Sequence, residues 1–239
     1  MLKTFDEWKV LSHGPIEKLT ECLWRVEGAL PGMSLRRVMT IAKREDGRLV
    51  INSAIALGES EMKEIEAFGT PSFLLVPNPQ HRLDAPAYKK RYPGMQVLVP
   101  RGARAKIELV VSVDGTFEDF PPDARVELHR LPGVADLEGL MLVRSSDGVT
   151  VVLNDAVFNM DPKKDLLGYV ITTLLGSAPG PRVSRLAKLA FIKDKPALKA
   201  ELERLASLPD LSRLIVAHEK VANGKAAASE ALRQAATYL

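Results

Sequence analysis

The sequence predicts a layered α/β fold, in which strands and helices alternate along most of the 239 residues. Short runs of β-branched and other apolar residues are typical of buried strands. Turn signals such as Asp46-Gly47 and Asp147-Gly148 separate several of these runs. Other runs are followed by segments with apolar residues at helical spacing. This alternation indicates sheets covered by helices.

The first hundred residues open with strands and then alternate. The predicted strands are CLWRVEG, LRRVMTIAKR and RLVINSAIAL, and the turn at 45–47 joins the last two. A helix is expected in SEMKEIEAFG, where Ser60 is a candidate cap and Gly69 ends the helix. The chain then continues as strand, helix and strand in PSFLLVPN, APAYKKRYPG and MQVLVP.

The middle of the chain returns to predicted strands, and the part from about residue 162 is mostly helical. The strands are IELVVSV, ARVELHRL, LMLVRSS and VTVVLN. The helices are RVSRLAKLAFI, PALKAELERLASL and KAAASEALRQAATYL, with RLIVAH as a single strand among them. No internal repeat or long linker interrupts this pattern, so we expect one domain over residues 1–239, with a strand-rich first half.

Composition and charge narrow the functional classes. The apolar fraction is 46%, and no run approaches the roughly 18 apolar residues of a membrane span. The N-terminus carries acidic residues where a signal peptide needs an apolar stretch, and the single cysteine, Cys22, excludes an internal disulfide. We therefore expect a cytoplasmic protein without a membrane segment. A net charge of +3 does not argue for nucleic acid as a partner.

Two polar residues stand where hydrophobic runs end. Asp155 lies in VVLNDAVFN, and His218 lies in LIVAHEK. An open α/β sheet presents ligands in this way, at the carboxyl ends of its strands. We therefore predict that the Asp155 carboxylate and the His218 imidazole lie within hydrogen-bond or shared-ligand distance.

The order of these segments resembles the metallo-β-lactamase fold from about Cys22 to Leu239. The segments that carry the resemblance are LVINSAIAL, GESEMKEIEAFGTPSFLLVPNPQH, YPGMQVLVP, LPG, VTVVLNDAVFN and RLIVAHEK. The resemblance implies a four-layer αβ/βα sandwich with metals held between loops at one edge of the two sheets. Within that superfamily the chain resembles an uncharacterised branch in which most metal ligands are replaced.

Active members carry a His-x-His-x-Asp-His motif after a strand, and the turn PNPQHRLD corresponds to it in two registers. In the first register Asn78 and Gln80 replace the two histidines, and nothing in the turn is a good ligand. In the second register His81 is the last histidine, while Asn78 and Gln80 fill the second-histidine and aspartate slots. Part of one metal site survives only in the second register.

The remaining ligand positions are taken from the same resemblance. Val134 stands where a histidine follows the Pro-Gly turn, while Asp155 matches the bridging carboxylate and His218 the final histidine. The implied candidate site is therefore a single one, made by His81, Asp155 and His218, with no metal or one divalent ion, zinc or iron. The cleft is expected to be lined by Asn78, Gln80, Arg82, Asp84 and Val134, with Arg82 and Asp84 as a candidate ion pair.

Each candidate residue also has a structural interpretation. Asp155 could cap a turn, His218 could be a hydrogen-bonded core histidine, and His81 could simply be solvated. His129 lies in an alternating strand and is expected at the surface.

Two functions remain open. The first is a degenerate, non-catalytic module that binds a small molecule or a partner. The alternative is a hydrolase in which one metal activates water for attack on an ester, thioester or phosphoester. A small-residue face on the helix at 225–239 also allows a homo-oligomer.

Overall fold

The computed structural model describes residues 3–239, which form two sheets and seven helices. The first sheet contains, in spatial order, β1 (Glu17–Lys18), β2 (Leu23–Leu30), β3 (Met33–Lys43), β4 (Arg48–Asn52), β5 (Thr70–Leu75), β6 (Gln96–Val99) and β7 (Gly115–Thr116). The second sheet contains β8 (Val126–Arg130), β9 (Gly139–Ser145), β10 (Gly148–Val152), β11 (Leu211–Ile215) and β12 (Ala222–Asn223), also side by side in this order. The helices are α1 (Glu59–Phe68), α2 (Ala85–Arg91), α3 (Arg104–Ile107), α4 (Leu166–Tyr169), α5 (Arg185–Ala190), α6 (Lys195–Ala206) and α7 (Lys225–Ala236).

Each sheet combines antiparallel hairpins with parallel strands that end at one edge. In the first sheet β2, β3 and β4 are antiparallel, and β4, β5 and β6 are parallel. In the second sheet β8, β9 and β10 are antiparallel, and β10 is parallel to β11. The Asn52 amide nitrogen, at the end of β4, lies 3.5 Å from the Asn154 side-chain oxygen, just after β10. The carboxyl ends of the parallel strands in both sheets therefore meet at one edge of the molecule.

The hydrophobic core has three layers, as a four-layer sandwich requires. Residues Phe73 and Leu75 of β5 face the second sheet and share a cluster with Val152 of β10. Leu74, between them, faces the opposite way and packs with the helices on the outer face of the first sheet, as strand alternation dictates. On the outer face of the second sheet, α6 and α7 bury a further cluster that includes Leu202. This arrangement is the predicted αβ/βα sandwich.

The predicted strand at 107–113 is wrong. The chain instead forms a short 3₁₀ turn at Arg101–Ala103 and the helix α3, followed by a turn. Ile107 and Val111 are both buried in the cluster on the outer face of the first sheet. The β-branched residues of this segment suggested a strand, but α3 ends at Ile107 and a turn follows it, so that Val111 reaches the same cluster from beyond the helix.

Two predicted boundaries also shift. Gly58 directly precedes α1. The Ser60 hydroxyl donates a hydrogen bond to the Glu61 carboxylate instead of capping the helix. β4 ends at Asn52 and does not continue through SAIAL, because Ser53 adopts a left-handed conformation with φ of 57°. The chain therefore turns away from the sheet at Ser53, at the edge where the two sheets meet.

The C-terminal helix is covered by the chain itself. Leu232, Ala235 and Ala236 of α7 are buried in the cluster formed with α6 and the second sheet. The Ser229 hydroxyl also donates to the carbonyl of Ala206 at 2.7 Å. Within residues 3–239, no helix has both the length and the apolar character needed to cross a membrane.

Candidate metal site

Three loops bring His81, Asp155 and His218 together at the shared edge of the two sheets. His81 lies in the turn after β5, Asp155 follows β10, and His218 follows β11. Asp155 Oδ1 lies 3.2 Å from His81 Nε2 and 3.4 Å from His218 Nε2. One ligand atom from each residue falls within 4.8 Å of the others. The structure thus brings Asp155 and His218 together as expected, and it places His81 beside them.

His218 is held by contacts on the side away from Asp155. Its Nδ1 lies 2.6 Å from the carbonyl oxygen of Arg36 and donates to it. The ring also stacks on Phe158, with centroids 5.6 Å apart and an interplanar angle of 12°. Because Nδ1 is used by a carbonyl acceptor, Nε2 of the neutral ring presents a lone pair toward Asp155.

His81 is oriented in the same way by a serine. Its Nδ1 lies 2.8 Å from the Ser53 hydroxyl, which in turn donates to the side-chain oxygen of Asn154 at 3.4 Å. In the tautomer in which Nδ1 donates to this hydroxyl, the hydroxyl donates to Asn154 and the Nε2 lone pair of the neutral His81 ring faces Asp155.

The residues present fit a divalent cation. Asp155 Oδ2 accepts from the Asn78 amide at 3.0 Å, which leaves Oδ1 for the two imidazoles. Three acceptor atoms then face one point, and this arrangement requires either protons on the rings or a cation between them. Two imidazole nitrogens and one carboxylate oxygen are ligands that Zn²⁺ takes, and three protein ligands leave a position open for substrate or water.

In the metal-free protein, opposite charges stabilise the cluster. Burial opposes ionisation of Asp155, but the charges and hydrogen bonds of His81 and His218 outweigh it and hold the pKa well below the usual range. Burial likewise lowers the pKa of His218, but the hydrogen bond and charge of Asp155 outweigh it and raise the pKa. The metal-free cluster is therefore held together by an ion pair.

Glu138 is a buried part of the site that sequence reasoning missed. Its Oε1 accepts from the backbone N–H groups of Asn154 and Ala156, each at 3.1 Å, and its Oε2 lies 3.4 Å from the Asn78 amide. These bonds hold the loop that carries Asp155. Burial and the neighbouring charge of Asp155 raise the pKa of Glu138 to about 8. Glu138 is thus a positioning residue behind the candidate ligands.

A signal for Glu138 is present in the sequence. Glu138 directly precedes the apolar strand β9, whose Met141 is paired with Val152 in the antiparallel neighbour β10. The start of β9 therefore lies at the edge where β10 ends. Polar residues at both ends of apolar runs, and not only at their carboxyl ends, are therefore candidates for a site at this edge.

The residues predicted to line the cleft lie in different parts of the structure. Gln80 lines a cavity of about 290 Å³ that also contacts all three candidate ligands. Asn78 lies beneath Asp155, as described above. Asp84 is buried behind the cavity wall, where it forms an ion pair with Arg37. Arg82 donates to the backbone carbonyl of Lys106.

The prediction that Val134 lines the cleft is wrong. Val134 is fully buried in the hydrophobic cluster between the second sheet and its helices. The preceding Gly133 has φ of 82°, and its carbonyl accepts from the backbone N–H of Lys193 at 2.7 Å. This bond packs the turn against the start of α6, so that Val134 faces the core and not the cleft.

The other histidines lie outside the cluster. His129 is exposed on β8 and lies 3.0 Å from Glu127, as expected for a surface position. His13 Nδ1 contacts the carbonyl oxygen of Gly14 at 2.8 Å.

Comparison with known proteins identifies the fold. No family model matches the sequence, and no curated protein matches it. Among solved structures, that of the DIM-1 metallo-β-lactamase exposed to ceftazidime is similar over 96% of this chain and 98% of that chain, with a TM-score of 0.64 and 12% identity. The metallo-β-lactamase from Pontibacter korlensis is similar over 91% of this chain and 96% of that chain, with a TM-score of 0.60 and 13% identity. The chain therefore has the metallo-β-lactamase fold, as the order of its segments predicted.

Proposed function

We propose that this protein is a hydrolase that uses one divalent cation, zinc or iron, held by His81, Asp155 and His218. The observation that carries the proposal is the convergence of Asp155 Oδ1 with two imidazole Nε2 atoms, at 3.2 and 3.4 Å. Contacts to Nδ1 orient both rings, which is how metal-binding histidines are usually fixed. Three ligands that leave a position open for water support the single-metal hydrolase, the alternative that the sequence left open beside a non-catalytic module.

The proposed reaction is the hydrolysis of an ester, thioester or phosphoester. A cation at this site would lower the pKa of a water molecule toward about 7 and polarise the oxygen of the scissile group. The oxygen of water bonds to the acyl carbon or phosphorus, the bond to the leaving oxygen or sulfur breaks, and the leaving group takes a proton. The side chains of His81, Asp155 and His218 hold the site together, and Glu138 and Asn78 fix the position of Asp155.

One cation, and not two, matches the polar residues around the cluster. The Asn78 amide is engaged with Asp155 and Glu138, and the amides of Asn52 and Asn154 contact each other at 3.5 Å. Neutral amides that are already hydrogen-bonded are poor substitutes for the imidazole and carboxylate ligands of a second zinc ion. We therefore expect at most one tightly bound divalent ion per chain.

Zinc titration tests the proposal directly. Calorimetry on chelator-treated protein should give one site, and His81→Ala and His218→Ala should each weaken zinc binding by at least about 100-fold. His129→Ala removes an imidazole outside the cluster and should leave the affinity unchanged. Zinc binding that is absent, or that survives both substitutions, would contradict the proposed site.

Turnover separates the hydrolase from a binding module. Zinc-loaded protein should hydrolyse at least one member of a panel of esters, thioesters and phosphoesters, and the chelator should abolish the rate. A protein that binds one zinc at this site but gives no turnover on the panel would favour the non-catalytic module.

A further inference from the structure

The cavity beside the candidate ligands has a mainly apolar wall. Two parts of the chain supply it, and they are far apart in sequence. The hairpin of β2 and β3 contributes Leu30, Met33 and Leu35, and the helical segment after residue 166 contributes Ile171, Leu186 and Phe191. Apolar side chains on two opposed segments form a pocket for an apolar group and not for a charged one.

The polar groups of the cavity are concentrated at the candidate metal site. Arg37 also lines the cavity, but its charge is paired with the buried carboxylate of Asp84. The hydroxyl of Ser184, another lining residue, accepts from the backbone N–H of Ala187 at 2.9 Å and caps α5. The cavity therefore has one reactive polar end, at the His81, Asp155 and His218 cluster, and an apolar remainder.

We propose that this cavity binds an apolar acyl or aryl group, so that the substrate is an amphiphilic ester or thioester. The volume of about 290 Å³ sets the size of this group. One water molecule occupies about 30 Å³ in the liquid, so the cavity has room for on the order of ten heavy atoms. The reaction assigned to this ligand rests on the proposed hydrolase function, whereas its binding depends on the cavity alone.

The entrance of the cavity is apolar as well. Leu186 lines the cavity and is 45% exposed, so the cavity opens to solvent beside an apolar side chain. Six of the eight large hydrophobic residues that are exposed within residues 3–239 lie between Leu166 and Leu189. This concentration places apolar surface next to the opening, where the tail of an amphiphile would enter.

Binding of neutral alkanamides to zinc-free protein tests the inference without catalysis. Butanamide, hexanamide and octanamide share one polar head and differ only in chain length. Each methylene that becomes buried should raise the affinity by about fourfold, so octanamide should bind at least tenfold more tightly than butanamide. Calorimetry or competition with a fluorescent apolar probe measures the series.

Two variants on α5 provide a matched pair. Leu186→Glu places a charge on the cavity wall and should weaken octanamide binding at least tenfold, while zinc affinity and thermal stability stay unchanged. Leu189→Glu alters a side chain of the same helix that is 83% exposed, and it should leave octanamide binding unchanged. Ala190→Trp offers a second route, because Ala190 lines the cavity from an exposed position and the larger side chain should exclude octanamide.

The outcomes separate this inference from the proposed function. Equal affinities along the alkanamide series, or a steep series that is insensitive to both Leu186→Glu and Ala190→Trp, would overturn the apolar pocket even if zinc binds. A steep series that both variants abolish, in a protein that binds no zinc, would support the pocket and contradict the hydrolase.

Discussion

Replacing Asp155 with asparagine separates metal binding from a structural role. In the wild type, Oδ2 accepts from the Asn78 amide at 3.0 Å, and Oδ1 faces the two imidazoles. In Asp155→Asn the amide oxygen can keep the bond to Asn78, while the amide nitrogen donates to Nε2 of His81 or His218. The shape and the hydrogen-bond count are therefore nearly preserved, but the charged ligand is lost.

The two effects of Asp155→Asn should differ strongly in size. Changes to residues that only orient a ligand already cost 10–100-fold in metal affinity, so loss of the ligand itself should cost at least about 100-fold, or roughly 2.7 kcal/mol. The stability of the metal-free protein should change by less than about 1 kcal/mol at alkaline pH, where the rings are neutral and a buried carboxylate charge is removed.

Zinc calorimetry and urea unfolding of chelator-treated protein measure both quantities on the same samples. Asp161→Asn is the control, because its carboxylate is 63% exposed and pairs with Lys220 at the surface. Asp155 is a structural residue and not a ligand if Asp155→Asn leaves zinc affinity unchanged and instead lowers the free energy of unfolding by roughly 1–3 kcal/mol at alkaline pH, as a broken structural contact would.

Three further predictions concern stability. Because the pKa of Asp155 is lowered, this group stabilises the fold at pH values above the usual aspartate pKa of about 3.9. Because the pKa of His218 is raised, this group stabilises the fold at pH values below about 6.5, and that stability is lost as the pH rises through the folded-state pKa. Urea unfolding of metal-free protein should therefore show a larger advantage of wild type over Asp155→Asn at pH 5.5 than at pH 9, and equal differences would contradict the ion pair. Glu138→Ala should cost about 1–3 kcal/mol in the same assay, because the buried backbone N–H groups of Asn154 and Ala156 would lose their acceptor, whereas the partly exposed Glu127→Ala should cost under about 1 kcal/mol. Deletion of residues 225–239 should abolish the cooperative thermal transition, since α7 completes a buried cluster, and an unchanged transition would show that this helix is peripheral.

The order of strands and helices was the most predictable feature of this chain. Turns at Gly47 and Gly148 have φ of 81° and 118°, a conformation that glycine adopts readily, so the hairpins could be located from sequence. The carboxyl ends of apolar runs pointed to Asp155 and His218, because such runs end where parallel strands reach the sheet edge. The resemblance then supplied His81 as a candidate ligand in one of two registers, and the structure places its ring beside Asp155.

The features that sequence reasoning missed depend on tertiary contacts. Glu138 precedes a strand, and only the antiparallel pairing of β9 with β10 places it beneath Asp155. Ser53 looked like part of a longer strand, yet the left-handed turn there brings its hydroxyl to His81. Val134 occupies a turn whose direction is set by packing against α6, which nothing in the local sequence reveals.

Anomalous diffraction at the zinc edge, on crystals of zinc-loaded protein, would locate the ion. We expect one strong peak per chain, at about 2.0–2.2 Å from His81 Nε2, His218 Nε2 and an oxygen of Asp155. Two peaks at this edge, a peak away from these three side chains, or zinc-loaded crystals with no peak at the cluster would contradict the proposed site.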